Sequence, residues 1–241
     1  MSEPTRVAPD RGHPARRLIV AIDGPSGSGK STVARGVAAR LGLRYLDTGA
    51  MFRAVTLRAL EDRIDVEDGD ALGELAQRTI LEISTDPADP TIRADGVDVT
   101  EAIRTRPVTN AVSAVSAAPG VRAWLLRKQR EIIGAGGIVV EGRDIGTVVV
   151  PDAPVKVFLT ASSDARAVRR NAELGGERDA LALTQDEIDR RDRLDSSRSA
   201  APLLRAADAI ELDSTTLGVD EVIDQVVALC PVPAGQGGSW R

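Results

Sequence analysis

The chain has 241 residues, 42% of them apolar and 28% charged, with a formal net charge of −5. This is the balance of an ordinary soluble globular chain of one or two domains. No run approaches the roughly 18 apolar residues of a membrane span, and the acidic excess lacks the basic footprint of a nucleic-acid binder.

Cys230 is the single cysteine, which excludes an internal disulfide and fits a reducing cytoplasm. Lys30, Lys128 and Lys156 are the only lysines, so almost all positive charge is arginine. The first segment, "MSEPTRVAPDRGHPARR" (1–17), is polar and charged, lacks the apolar core of a secretory signal, and reads as a disordered leader.

"LIVAID" (18–23) is a short branched run and predicts a buried strand. Directly after it, Gly24, Pro25, Ser26, Gly27, Ser28, Gly29, Lys30 and Ser31 match G-x-x-x-x-G-K-[ST], and Thr32 follows. "STVARGVAARL" (31–41) then predicts a helix with Val33, Val37 and Leu41 on one face. Strand, glycine-rich turn and helix together make a phosphate loop whose backbone N–H groups wrap phosphate oxygens, helped by the helix N-terminus. In such a loop Lys30 reaches the β and γ phosphates of ATP, and the Ser31 hydroxyl is the expected ligand of Mg²⁺. Asp23 and Thr32 fit the site or plain packing and capping equally well.

"LRYLD" (43–47) predicts a second strand and "AMFRAVTLRAL" (50–60) a second helix. Asp47, Thr48 and Arg53 fall at the carboxyl end of that strand, where α/β folds bind ligands; Asp47 or Thr48 also fits as a helix N-cap. Between 79 and 100 the pattern changes to short strands broken by Pro87, Pro90 and "ADG", which predicts a small antiparallel insert. "GIVVEG" (137–142) and "PVKVFLT" (154–160) are further strands. The first runs into Glu141, Gly142, Arg143 and Asp144, and charges at the end of a central strand serve a ligand or pair with one another. From 162 to 198 the chain is arginine-rich and helical, interrupted by "LGGE". A charged segment hinged at Gly175 and Gly176 is a candidate lid. Within it Arg191, Asp195 and Arg198 share a helical face, as a ligand site or as a surface salt-bridge ladder. "AIEL" (209–212) and the helix "VDEVIDQVVAL" (219–229) precede a flexible tail (230–241).

The alternation predicts an α/β fold: a P-loop three-layer sandwich on a central parallel sheet of about five strands, with a small β-containing insert and an arginine-rich helical lid. The arginines bear on what receives the phosphate. Two anionic substrates side by side repel by about 4 kcal/mol per unit-charge pair at 4 Å and an effective dielectric of 20. Arg53, Arg143, Arg191 and Arg198, from three segments, suit that demand. The N-K-x-D base reader of a GTPase is absent from the sequence. A kinase acting on a hydroxyl is not excluded by charge, and a non-catalytic nucleotide sensor remains a rival class.

"IDGPSGSGKST", "YLDTGAMFRA", "EGRDIGTVVVPDA" and "RRDRLDSSRSAAPL" together resemble the bacterial cytidylate kinases, in that family's order and spacing. "RPVTNAVSAVSAAPGVRAWLLRKQR" (106–130) and "ADAIELDSTTLGVDEVI" (207–223) extend the resemblance over nearly all of 18–229. It implies a nucleoside monophosphate kinase domain at 18–229, with 79–100 part of the monophosphate-binding insert and 162–198 the lid. It implies transfer of the γ-phosphate of ATP to CMP, and to dCMP, by a cytoplasmic monomer that needs neither nucleic acid nor membrane. Ser113, Arg122 and Asp144 fall where the family reads cytosine, Asp195 and Arg191 where it holds the ribose, and Arg53, Arg143 and Arg198 where it holds the acceptor phosphate. Phe52 stands where a tyrosine is more usual, keeping a stacking ring without its hydroxyl. Arg166, Arg169 and Arg170 are candidates to clamp the phosphoryl group in transfer, with Arg169 grouped with Lys30, Arg143 and Arg198 as catalytic.

Overall fold

The computed structural model describes residues 17–173, 181–198 and 200–231. The leader before Arg17, the glycine pair at 175 and 176 and the tail from 232 lie outside the described residues.

Five parallel strands build the centre: β1 (Ile19–Asp23), β2 (Arg44–Asp47), β6 (Ile138–Gly142), β7 (Val155–Thr160) and β8 (Ile210–Asp213). Their order is β2-β6-β1-β7-β8. Successive side chains of a strand face opposite sides, and the branched runs use this to fill two cores. Val20, Ile22, Tyr45 and Val139 pack on one face against Val33 and Val37 of α1 (Lys30–Leu41) and Val222 and Val226 of α8 (Val219–Ala228). Ala21, Leu46, Ile138 and Val140 pack on the other against α2 (Thr48–Glu61), α3 (Gly69–Arg78) and α5 (Pro119–Ile133). All five residues of β6 are buried, as a strand covered on both faces requires. Cys230 is buried in the first of these cores, so packing runs into the segment expected to be a flexible tail.

The chain leaves β1 toward β2 and returns through β6, so the order of the sheet reverses at β1, and α/β sheets bind ligands where this happens. Register levels the strand ends there: Asp23 lies opposite Gly142, and Asp47 opposite Glu141.

Three smaller strands, β3 (Leu81–Ile83), β4 (Ile92–Ala94) and β5 (Val97–Asp98), form an antiparallel sheet. Asp95 and Gly96 turn between β4 and β5 with φ of 50° and 79°, the left-handed pair of a tight hairpin. Helix α3, before this sheet, has no counterpart among the predicted elements; Asp68 caps it by accepting the Ala71 N–H at 3.0 Å. Two helices begin with proline in their first turn, α4 (Arg106–Ala117) and α5, where the missing N–H costs nothing. A π-helical turn, Ile145–Val149, follows β6, and α6 (Ser163–Glu173) and α7 (Leu181–Ser197) pack together over the carboxyl end of the sheet.

Candidate active site

A cleft of about 500 Å³ opens at the strand ends, lined from the phosphate loop, β2, α2, the small sheet, the turn after β6, α6 and α7. Nine basic and six acidic side chains line it, a positive excess inside a chain of net charge −5.

The loop owes its shape to glycine at two points. Gly24 has φ +152°, and a Cβ there would sit 2.1 Å from the Leu159 carbonyl oxygen. Gly29 enters α1 in the left-handed region, φ +88°, which a side chain disfavours. Ser26, Gly27, Gly29, Lys30, Ser31 and Thr32 line the cleft, whereas Gly24, Pro25 and Ser28 lie behind the wall. The buried Lys30 ammonium donates to the Pro25 carbonyl at 2.6 Å and to Ser28 Oγ at 3.4 Å. Burial, reinforced by Arg143, pushes its pKa down, while Glu141 pulls the other way.

Glu141, the next-to-last residue of β6, lies beside this lysine. Its carboxyl accepts from Tyr45 Oη at 2.5 Å and bonds the Ser31 hydroxyl. Burial, with Asp47 close by, raises its pKa. Thr48 Oγ1 donates to the Glu141 carbonyl at 2.7 Å, and Asp47 caps α2 through the Ala50 N–H at 2.9 Å. The two readings of Asp47 coincide, since it caps a helix and lines the cleft. Asp23 has a different task. Its two oxygens accept the N–H groups of Ile145 and Gly146, each at 2.8 Å, so it fixes the turn that carries Arg143 and Asp144. Burial raises its pKa to about 6 against those bonds.

The arginines meet on the far side of the cleft. Arg143 Nε donates to Asp195 at 3.1 Å, and Arg191 and Arg198 approach the same carboxylate to 3.7 and 3.9 Å. Burial would raise the Asp195 pKa, but the three guanidinium groups outweigh it and hold it below the usual value. Nε of Arg191 and Nη2 of Arg198 are buried without a hydrogen-bond partner. Arg53 Nη1 donates to Thr109 Oγ1 at 2.9 Å and to the Ile103 carbonyl at 3.3 Å. Burial, with Arg191 and Arg170 nearby, depresses its pKa well below the ordinary value. Arg191, Asp195 and Arg198 are therefore a largely buried cluster rather than a surface ladder, while Arg193, Leu194, Ser196 and Ser197 between them face solvent.

Phe52 sits beneath Arg122, whose guanidinium carbon lies 5.5 Å from the ring centroid, a cation–π distance. Arg122 pairs with Asp144 and donates to the Ser116 carbonyl at 3.1 Å. Burial raises the Asp144 pKa, with Arg122 and Arg198 opposing. Ser113 does not line the cleft; its hydroxyl donates to Asp195 Oδ1 at 3.3 Å. Arg169 also stands off the cleft, donating to Ser214 Oγ at 2.9 Å and the Ser214 carbonyl at 2.6 Å, while the next residue, Arg170, lines it. Arg169 nonetheless abuts the phosphate loop, its Nη1 lying 4.0 Å from where a Cβ on Gly29 would sit. Tyr45, Ser116 and Thr109 also join the site; they lie inside the stretches "YLDTGAMFRA" and 106–130 but are not singled out there as site residues.

The family model described as cytidylate kinase matches residues 20–231. Cytidylate kinase of Streptomyces coelicolor is 54% identical over 89% of this chain and 93% of its own length. That of Rhodococcus opacus is 51% identical over 91% and 97%, and that of Geobacillus kaustophilus 47% identical over 89% and 96%. A shikimate kinase structure from Bacteroides thetaiotaomicron aligns over 88% of this chain at 15% identity with a TM-score of 0.40, too distant to bear on the acceptor. With a phosphate loop facing a buried arginine cluster, and this identity over almost its whole length, the chain belongs to the cytidylate kinase family.

Proposed function

We propose that this kinase transfers the γ-phosphate of ATP to CMP and to dCMP, with the two nucleotides held on opposite sides of the cleft. One observation carries the reading: Arg53 of α2, Arg143 of the turn after β6, Arg170 of α6, and Arg191 and Arg198 on and directly after α7 line the cleft with the loop that holds Lys30. Two phosphorylated substrates brought together need this much positive charge, and a neutral hydroxyl acceptor does not.

Arg53, Arg143 and Arg198 hold the acceptor phosphate. Asp195, with Arg191, receives the ribose hydroxyls. Asp144 and Arg122 face the cytosine edge, where a carboxylate suits the exocyclic amine and a guanidinium suits the ring nitrogen and carbonyl; Phe52 supplies a face for stacking. An acceptor phosphate is already ionised at neutral pH, so no side chain need abstract a proton. The chain's contribution is placement and charge. The small sheet of 79–100 borders the acceptor end, and the helices of 162–198 cover the reacting phosphates and exclude water, the competing acceptor.

The residues present fit Mg²⁺. Ser31, Glu141 and Asp47 offer a few hard oxygen donors along the same wall. That suits an ion which takes few protein ligands and keeps waters and substrate phosphates. When bound, it offsets charge on the ATP phosphates; Ser31 holds it and Glu141 orients Ser31.

Nucleotides are retained inside the cell, which favours a cytoplasmic enzyme in pyrimidine nucleotide metabolism. A panel of acceptors with coupled ADP detection tests the reading. CMP and dCMP are expected to turn over at least about tenfold more efficiently than UMP or a sugar hydroxyl. Equal turnover across the panel, or ATP hydrolysis indifferent to CMP, would overturn it.

A further inference from the structure

Ser26 is 8% exposed, and both polar groups of its backbone are taken up by side chains from the helices above the loop. Its N–H donates to Oδ1 of Asp192 on α7 at 3.2 Å. Its carbonyl accepts from Nη1 of Arg166 on α6 at 3.0 Å. The same Arg166 nitrogen bonds Oδ2 of Asp192, which closes a ring of three groups. Arg166 Nε donates to the Ala161 carbonyl at 3.2 Å. Its backbone also presses on Gly27, where a Cβ would lie 2.9 Å from the Arg166 carbonyl oxygen.

Both side chains are largely withdrawn from water, 9% exposed for Arg166 and 19% for Asp192, yet neither lines the cleft. A buried ion pair is a poor source of stability against an apolar replacement, so its value lies in what it holds in place. Arg191 adjoins Asp192 in sequence, Asp195 follows within one turn of α7, and Arg170 follows Arg166 by one turn of α6. The ring at Ser26 therefore ties two helices bearing the cleft's arginines to the loop that holds the triphosphate.

We propose that Asp192 is a positioning residue for phosphoryl transfer: with Arg166 it grips the Ser26 peptide and so sets the distance between the arginines of α6 and α7 and the phosphate loop. The proposal rests on the kinase reading above. Misplacing reacting groups by about 1 Å can cost about a hundredfold in rate, so the effect belongs in turnover rather than in binding.

The test is steady-state kinetics in ATP and CMP on Asp192→Ala, Arg166→Ala and the double variant, with thermal melting read alongside. Asp192→Ala is expected to lower kcat about tenfold or more while each KM moves less than about threefold. The double variant is expected to lose no more than the worse single one, because both break the same ring. Asp192→Asn, which keeps an oxygen for the Ser26 N–H, is expected to fall between wild type and Asp192→Ala. Should the alanine variant fail to fold, the asparagine variant carries the same comparison. A kcat within about twofold of wild type, or losses that multiply in the double variant, would overturn the proposal. Wild-type turnover of CMP in the same assay reports on the kinase reading, so the two failures are distinguishable.

Discussion

Arg143 and Asp195 meet across the cleft, Nε to Oδ2 at 3.1 Å, although 52 residues separate them in sequence. One stands on the turn after the central strand and the other on α7, so their contact joins the sheet to the helices above it. Asp195 is also the shared counter-charge of Arg191 and Arg198.

Asp195→Asn keeps the shape and removes that charge. Three guanidinium groups then repel one another without a common partner. The KM for CMP is expected to rise about tenfold or more, a charged hydrogen bond being worth about 1.5–3 kcal/mol, with the KM for ATP within about threefold. Steady-state titration of each nucleotide at saturating partner decides it; equal effects on both would remove Asp195 from the acceptor side.

Asp144→Ala removes the carboxylate that pairs with Arg122. Preference for CMP over UMP is expected to fall by about tenfold or more, since discrimination by a buried polar pair is lost along with it. The ratio of kcat/KM values for the two acceptors is the measurement. An unchanged ratio would separate Asp144 from base recognition.

Arg169 and Arg170 are neighbours with different surroundings, and their alanine variants are expected to differ. Arg170→Ala lowers kcat about tenfold or more, because its side chain lines the cleft. Arg169→Ala has the smaller effect on kcat, because that guanidinium is bonded to Ser214. Single-turnover rates rank the two directly, and the reverse order would return the catalytic role to Arg169.

Asp23 makes stability depend on pH in an unusual direction. Burial lifts its pKa from 3.8 to about 6 on folding, so between those values the folded chain holds a proton that the unfolded chain has released. Its contribution is complete below pH 3.8 and is lost as pH rises through 6. Urea unfolding of wild type and Asp23→Asn at about pH 4.5 and about pH 7.5 isolates the effect. The wild-type stability relative to the variant is expected to fall by about 2 kcal/mol over that interval. A constant difference would show that Asp23 titrates normally.

The sheet was legible because its strands are short branched runs with chemical punctuation: "LIVAID" stops at a glycine turn and "GIVVEG" at charges. The phosphate loop was legible because its function constrains consecutive residues. Helix α3 was not, because its apolar positions, Leu72 and Leu75, are few and "EDGDALGELAQR" carries a mostly polar face. The arginines were visible only as residue types. Which of Arg169 and Arg170 turns inward depends on where α6 sits against the loop after β8, a contact between distant segments that no local pattern encodes. Glu141 was legible as an oddity at a strand end, but its partner Tyr45 looked like any strand aromatic.

The uneven distribution of charge has a kinetic consequence. With the positive excess confined to the cleft, the remainder of the molecule is more acidic than the chain as a whole. Long polyanions meet a repelling exterior, whereas a molecule small enough to enter the mouth is drawn inward. Added salt is therefore expected to slow capture of dilute CMP markedly and to leave saturated turnover nearly flat, because mobile ions screen the approach far better than they screen the interior.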